Sequence, residues 1–272
     1  MTGSIEGDPG TAGPGRQAVD ALTSVDAHRR WWDAEADDYL AEHGEALGDS
    51  RWLWGPEGWD EADLGLLGPV AGRRALELGC GAASGARWLA AQGARVVGLD
   101  LSFRMLQHSR RLDDAQGWRT PTVLAHAGAM PFRDTSFDVV ASAYGALPFV
   151  ADADRVLAEV ARVLAPGGRA VLSVTHPVRW AFRDDPGDGG LTAVRSYFDR
   201  TPYAETDEAG RVTYVEHHRT VGDWVDLIVG AGLTLERLVE PEWKPGHDQV
   251  WGGWSPLRGA VIPGTLVILA SG

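Results

Sequence analysis

An open, mostly parallel, doubly wound α/β sheet with helices on both faces is the fold class this sequence predicts. Three observations carry that prediction. The stretch from Arg73 to Ser102 reads as strand, glycine turn, helix and second strand, which is one βαβ unit. Beyond it, short apolar runs alternate with helical patterns down the chain. One of those runs, S-F-D-V-V-A-S-A at 136–143, is nearly continuous and apolar, as a parallel strand buried on both faces should be.

Taken in order, residues 1–22 read as a disordered tail, on the strength of the Gly/Pro-rich opening M-T-G-S-I-E-G-D-P-G-T-A-G-P-G-R. Order is expected from about Val25, with W-W-D-A-E-A-D-D-Y-L-A-E-H-G as a helix closed by Gly44 and with Trp32, Ala36, Tyr39 and Leu40 on one face. R-W-L-W-G-P-E-G-W then brings three tryptophans ahead of a linker helix at 61–67. Strands follow at 75–78 and 94–99. Ser102 suits the N-cap of a helix at 103–113, and a third strand is read at 121–126. After the fourth strand, 136–143, an amphipathic helix at 152–164 stops at Pro166-Gly167-Gly168 before a fifth strand at 169–175. Residues 177–218 break the alternation with prolines, glycines, charges and aromatics. A loop of that length inside a compact domain is usually functional or disordered, and its aromatics favour a cap over a pocket. A helix at 220–231 and strands at 233–239 and 261–270 bring the sheet to seven strands. The expected layout is one domain over 23–272: a helical cap at 23–70, a core at 71–176, the inserted cap at 177–218 and the last part of the sheet at 219–272.

Composition narrows the function classes. A chain of 272 residues with 44% hydrophobic and 23% charged residues is ordinary for a globular protein. No apolar run approaches the ~20 residues of a membrane span and no signal-peptide core is present, so stable membrane insertion is not expected. A single cysteine excludes an internal disulfide framework and fits a reducing cytoplasm. A net charge of −13 repels a phosphate backbone and weighs against nucleic acid as a partner.

The chemistry starts at the glycine turn. Glycines let backbone pass close to a ligand at the mouth of the sheet. Asp100 lies 21 positions after Gly79, where a carboxylate can accept both hydroxyls of a ribose. Hydrogen bonds to a charged group contribute roughly 1.5–3 kcal/mol each, so an adenosine cofactor is the natural candidate. The turn does not spell G-x-G-x-x-G, because Ser84 holds the third position. Glu77, two residues before the first glycine, would repel a pyrophosphate by about 1–4 kcal/mol for unit charges some 4 Å apart. A sulfonium and an ammonium, as in S-adenosylmethionine, would instead be welcome there.

E-L-G-C-G-x-x-x-G at 77–85 resembles motif I of the class I S-adenosylmethionine-dependent methyltransferases. L-D-L-S at 99–102, A-M-P-F-R-D-T-S-F-D-V-V at 129–140, R-V-L-A-P-G-G-R at 162–169 and A-G-L at 231–233 are similar to further segments of that family, in the family's order. The N-terminal helix and the H-P-V segment at 176–178 resemble small-molecule methyltransferases of the ubiquinone and menaquinone type. The resemblance implies a Rossmann-like domain that binds S-adenosyl-L-methionine. It also implies that Glu77, Gly79, Cys80 and Gly81 line the methionine end, that Asp100 takes the ribose, and that Leu101 and Met105 pack near adenine. Relatives often carry Asp-Ala before the loop that reads the adenine. Here it is His126-Ala127, so the Ala127 N–H can still read the ring while the carboxylate contact is missing. Ser142 completes this set.

The acceptor is expected beyond the carboxyl ends of the fourth and fifth strands, where Tyr144 and His176 stand. His176 is the candidate general base, since its free pKa lies near neutrality, with a structural bond to the cap as the alternative. Glu216, His217 and His218 form a second candidate group, and adjacent histidines with no further ligands make a metal site unexpected. S-A-Y-G-A-L-P-F after the fourth strand lacks the Asn/Asp-Pro-Pro-aromatic pattern of enzymes that methylate base or amide nitrogen, which favours oxygen or carbon acceptors, or amines that do not need that clamp. Twelve tryptophans suggest an aromatic acceptor pocket built from both ends of the chain, with Trp32, Tyr39 and Trp251 as its candidate walls; core packing is the plainer reading for most of them. The expected activity is methyl transfer to a small aromatic or hydrophobic molecule. A nicotinamide-dependent oxidoreductase and a catalytically silent cofactor-binding relative are the alternatives.

Overall fold

The computed structural model describes residues 15–272. Strand β1 (Gly15–Arg16) precedes helix α1 (Ala21–Leu47), and a short helix α2 (Glu61–Leu64) leads into the core. There follow β2 (Arg74–Leu78), α3 (Ser84–Ala91), β3 (Arg95–Asp100), α4 (Phe103–Gln116), β4 (Thr122–Leu124), β5 (Phe137–Ala143), α5 (Ala153–Val163) and β6 (Leu164–Thr175). After two short 3-10 turns come β7 (Tyr203–Thr206), β8 (Val212–Glu216), α6 (Val221–Gly230), β9 (Thr234–Val239), α7 (Pro256–Gly259) and β10 (Thr265–Ser271).

The main sheet has seven strands in the order β4-β3-β2-β5-β6-β10-β9. The first five are parallel, while β10 runs antiparallel to both β6 and β9. Chain order reverses between β2 and β5, so a crevice opens at their carboxyl ends. Alternation along the strands sorts side chains onto two cores. Leu76, Leu78, Val140, Leu172 and Ile268 face α5 and α6 in one cluster with Leu157, Val160 and Ile228. Ala75, Val139, Ala141, Val171 and Val267 face α3, with Leu89, Leu106, Trp52 and Trp54 in the other. Ser142, on the first of these faces, is fully buried and donates to the Leu78 carbonyl at 2.9 Å.

A second, three-stranded antiparallel sheet, β1-β7-β8, carries α1 on one side, where Ala27, Ala204 and Val215 are buried together. This corrects the expected tail in part. Positions 1–14 of that tail lie outside the described residues, whereas Gly15 and Arg16 pair with Ala204 and Tyr203 and α1 has begun by Ala21. The helix starts early because Asp20 caps it, accepting from the Thr23 N–H at 2.9 Å. It runs through Gly44 and ends at Gly48, which takes φ +66° and donates back to the Gly44 carbonyl. Asp33 accepts from Ser102 Oγ and the Arg104 N–H at the start of α4, and Asp37 reaches Arg104 and His108, so α1 is docked over the crevice. The last strand begins at Thr265 rather than 261, because Pro263 and Gly264 interrupt the run before it.

Arg87 on α3 and Asp113 on α4 make a buried ion pair at 3.3 Å, and Asp113 also accepts from the Thr120 N–H at 2.6 Å. Removing one member of such a pair strands the other charge, at about 3–5 kcal/mol. Asp113→Ala is therefore expected to lower the free energy of unfolding by that amount in denaturant titrations, and Arg87→Ala together with it by less than the sum of the two.

Candidate active site

A cavity of about 620 Å³ lies at the carboxyl ends of β2, β3, β5 and β6, beneath α1 and the loop before α7. That volume is in the range of small-molecule sites. Its floor is backbone. Gly79 takes φ +64°, and a Cβ on it would fall 2.3 Å from the Gly145 carbonyl carbon. Gly81, at φ +51°, has nothing within 4 Å of where a Cβ would sit, and it donates its N–H to Asp100 Oδ2 at 2.7 Å. Asp100 Oδ1 accepts from the Ser102 N–H at 2.8 Å, so this carboxylate at the tip of β3 pins the glycine turn while keeping unused lone pairs. Burial raises its pKa against the pull of those N–H donors.

Glu77 sits on the β2 face opposite Leu76 and Leu78, as alternation requires. Its Oε2 accepts from the Ala86 N–H at 2.6 Å, in the first turn of α3. Gly85 makes this possible: a Cβ there would lie 2.3 Å from Glu77 Oε1 and 2.7 Å from the Trp52 ring. Burial pushes the Glu77 pKa up to about 8. Trp52 is buried against the same corner, and its Nε1 has no hydrogen-bond partner among the described residues. A glycine-lined turn, a carboxylate starved of solvent and an acid at the tip of β3 together fit a ligand with a cationic centre and a ribose. S-adenosylmethionine has both.

The other half of the cavity is aromatic. Trp31 and Trp32 from α1 meet edge to face at 4.7 Å, Trp32 contacts Tyr39 at 5.3 Å and Phe149 at 5.7 Å, and Tyr214 from β8 packs on Trp31 at 5.0 Å. His43 stacks on Trp251 at 4.7 Å, which joins the N-terminal helix to the loop before α7. All of these but His43 line the cavity, as do Arg179, Asp184 and Glu216. Arg179 Nη1 donates to Glu216 Oε2 at 2.8 Å and Nη2 to Asp184 Oδ2 at 3.2 Å. Composition and spacing gave no sign of Phe149, Arg179 or Asp184. The alternation V-T-Y-V-E, which puts Tyr214 and Glu216 on one face of β8, was the available signal for those two.

Of the residues singled out in the sequence, Glu77, Gly79, Cys80, Gly81, Asp100, Met105, Tyr144, Trp32, Tyr39 and Trp251 line this cavity, while Leu101, His126, Ala127, Ser142, His176 and His217 do not. Cys80 contributes a thiol packed under Gly98, where burial raises its pKa far above the free value. The assignment of His176 as a base is corrected: Nδ1 accepts from the Val178 N–H at 3.1 Å and Nε2 meets Glu240 Oε1 at 2.7 Å, so both nitrogens hold local structure. His217 is corrected likewise, since its Nε2 is 2.9 Å from Ser24 Oγ and burial lowers its pKa to about 3. His218 Nε2 is tied to the Tyr197 carbonyl at 2.6 Å. Tyr144 adopts φ +61° and donates to the Gly264 carbonyl at 2.7 Å, with Thr265 Oγ1 at 2.9 Å. Burial keeps this phenol protonated, so Tyr144 anchors backbone and is no base. His126 accepts from the Gly128 N–H through Nδ1 and shapes its own loop. Ser142 is spent on the Leu78 carbonyl inside the sheet.

Comparison with known proteins gives the following. A family described as a methyltransferase domain matches residues 76–172. A demethylmenaquinone methyltransferase of Mycobacterium sp. (strain KMS) is 40% identical over 214 residues, covering 78% of this chain and 80% of that one. Another, from Tropheryma whipplei (strain Twist), is 37% identical over 123 residues, 45% of this chain and 50% of its own, so the chain spans about half the length of that relative. The S-adenosylmethionine dependent methyltransferase of Mesorhizobium loti superposes with a TM-score of 0.61 at 28% identity, over 77% of this chain and 95% of that one.

The Glu77 carboxyl gives a pH signature. Its pKa is about 8 when folded and about 4.3 in an unfolded chain, so between these values the folded state holds the extra proton and stability falls as pH rises. His28 and His217, lowered to about 4 and about 3 by burial, act on the other side, since their contribution is lost as pH falls below the unfolded value of about 6.5. From pH ~6.5 to ~8 the midpoint of thermal unfolding of the ligand-free protein is expected to decline, and Glu77→Gln to flatten that decline.

Proposed function

This chain belongs to the class I S-adenosylmethionine-dependent methyltransferases, and we propose that it transfers a methyl group to a small aromatic or hydrophobic acceptor, on oxygen or carbon. The observation that carries this reading is one cavity with two unlike halves, a glycine turn with Glu77 and Asp100 on one side and an aromatic wall on the other. In it Glu77, Gly79 and Gly81 face the methionine end, Asp100 takes the ribose hydroxyls, and Met105 packs by the adenine. Trp32, Tyr39 and Trp251 belong to the acceptor wall.

Bound in that half, S-adenosylmethionine supplies an electrophilic methyl group. The chain's own contribution is alignment and dryness. Flat rings from α1, β8 and the loop before α7 hold an acceptor against the floor and exclude water. In-line alignment of this kind is able to supply about 7–11 kcal/mol of the barrier. Neither His176 nor Tyr144 has a free group to take a proton, and both side chains brace the chain around the site instead. The demethylmenaquinone methyltransferase relatives support a quinone-like ring as one acceptor class. No helix of the described residues is long and apolar enough to cross a membrane.

Calorimetric titration of the purified chain with S-adenosylhomocysteine, with NADH as control, tests the cofactor. Binding of the first alone is expected, and binding of NADH alone would overturn the reading in favour of an oxidoreductase. Asp100→Ala should weaken S-adenosylhomocysteine by about a hundredfold or more, from two hydrogen bonds to a charged group. Trp32→Ala and Trp251→Ala are expected to raise the acceptor KM by about tenfold each while changing S-adenosylhomocysteine affinity by less than about twofold. Unchanged turnover in both tryptophan variants would remove the aromatic wall from the acceptor site.

A further inference from the structure

Beside the aromatic wall, through Tyr214, the cavity meets a charged cluster. Glu216 is 8% exposed and lines the cavity. Its Oε2 accepts from Arg179 Nη1 and its Oε1 from the Tyr214 hydroxyl, each at 2.8 Å. A carboxylate offers about four lone-pair positions, so two remain for a donor arriving from the cavity. Tyr214 supplies both this hydroxyl and a ring face of the wall, and burial keeps its phenol protonated.

The charges around Glu216 select the kind of donor. Arg179 is shared between Glu216 and Asp184, and Asp184 Oδ1 lies 3.5 Å from Arg258 Nη1. Arg16 stands within electrostatic reach of Glu216 as well, while Asp185 lies by Arg258 and Glu205 by Tyr214. An ammonium approaching Glu216 would therefore face Arg179 on the same carboxylate and Arg16 near it. A neutral hydroxyl meets no such opposition, and in a dry, ring-lined site its hydrogen bond to an ionised group is strengthened.

We propose that Glu216 is the specificity-determining group for the acceptor: it receives the hydrogen of a neutral hydroxyl carried on the acceptor's aromatic ring and so sets which way round that ring lies. This rests on the methyltransferase reading and names the acceptor feature that reading leaves open. Among the candidates at the end of the cap, the two histidines beside Glu216 are turned away onto Ser24 and Tyr197, which leaves the carboxylate alone facing the cavity.

The test uses the full chain saturated with S-adenosylhomocysteine and three probes of one ring size: α-naphthol, α-methoxynaphthalene and naphthylmethylamine. α-Naphthol is expected to bind roughly ten- to a hundredfold more tightly than its methyl ether, the worth of one hydrogen bond to a charged group. Glu216→Gln should bring that ratio close to one with S-adenosylhomocysteine affinity unchanged. Tyr214→Phe should keep the ratio, because it frees a lone pair on Glu216 and removes no acceptor. If Glu216→Gln does not fold, Glu216→Asp, with the carboxylate drawn back by one methylene, should lower the ratio instead. Equal binding of naphthol and ether by the natural chain, a ratio that survives Glu216→Gln, a ratio lost in Tyr214→Phe, or tighter binding of the amine would each overturn the proposal. So would no binding of any probe to the S-adenosylhomocysteine complex. Failure of the natural chain to bind S-adenosylhomocysteine would overturn the underlying cofactor reading instead.

Discussion

Two strand ends meet backbone to backbone below the cavity. A Cβ on Gly145 would fall 2.1 Å from the Gly79 carbonyl oxygen, so the turns after β2 and β5 sit in direct contact with no side chain between them. This is the switch point of the sheet, and the contact sets how deep the crevice can be. With the two turns fixed, Asp100 can reach across from β3 to hold Gly81, and Glu77 can reach forward to the first turn of α3. The site is thus a consequence of bare backbone at its floor, and the side chains that carry charge are positioned from the rim.

That arrangement accumulates buried acids. Glu77 and Asp100 beside the glycine turn are joined by Glu57, whose carboxylate holds the Gly264 N–H at 2.9 Å, and Glu61, which caps the Leu66 and Leu67 N–H groups at 3.0 and 2.7 Å. Burial raises the pKa of all four. Glu57 is taken up by the Gly264 N–H and the Thr265 hydroxyl, and Glu61 by backbone and indole donors, which is structural work. Glu77 and Asp100 line the cavity. The distinction between a carboxylate that braces a loop and one that can meet a ligand lies in which way its open positions face.

How much of this was legible depends on whether the signal was local. The βαβ unit, the continuous strand at 137–143 and the spacing from Gly79 to Asp100 are written in consecutive residues, so element type and cofactor half were readable. Glu77 was readable too, because its meaning follows from two residues of separation from the glycine. His176 was not. Its Nε2 partner, Glu240, comes 64 residues later, and nothing near His176 announces that its proton is already spoken for. The choice among Glu216, His217 and His218 turned on the register of a five-residue strand in a polar insertion, where alternation is the only clue. Gly15 and Arg16 looked like tail because their partners, Ala204 and Tyr203, lie near the other end of the chain. The onset of the last strand, by contrast, was marked by Pro263-Gly264.

The aromatic wall of the cavity is assembled from α1, the segment after β5, β8 and the loop before α7. Trp31 and Trp32 lie within the first 32 positions, whereas their companions Tyr214, Trp251 and Trp254 arrive only in the final quarter. The glycine turn, Glu77 and Asp100 are all present by residue 100. As the chain leaves the ribosome, the cofactor half has its residues long before the acceptor half does, and α1 must wait exposed until β8 exists to cover it. Contacts of such long sequence separation close slowly. The rings of the aromatic half are therefore, for much of synthesis, an uncovered apolar surface, and early covering of α1 becomes a condition for folding cleanly.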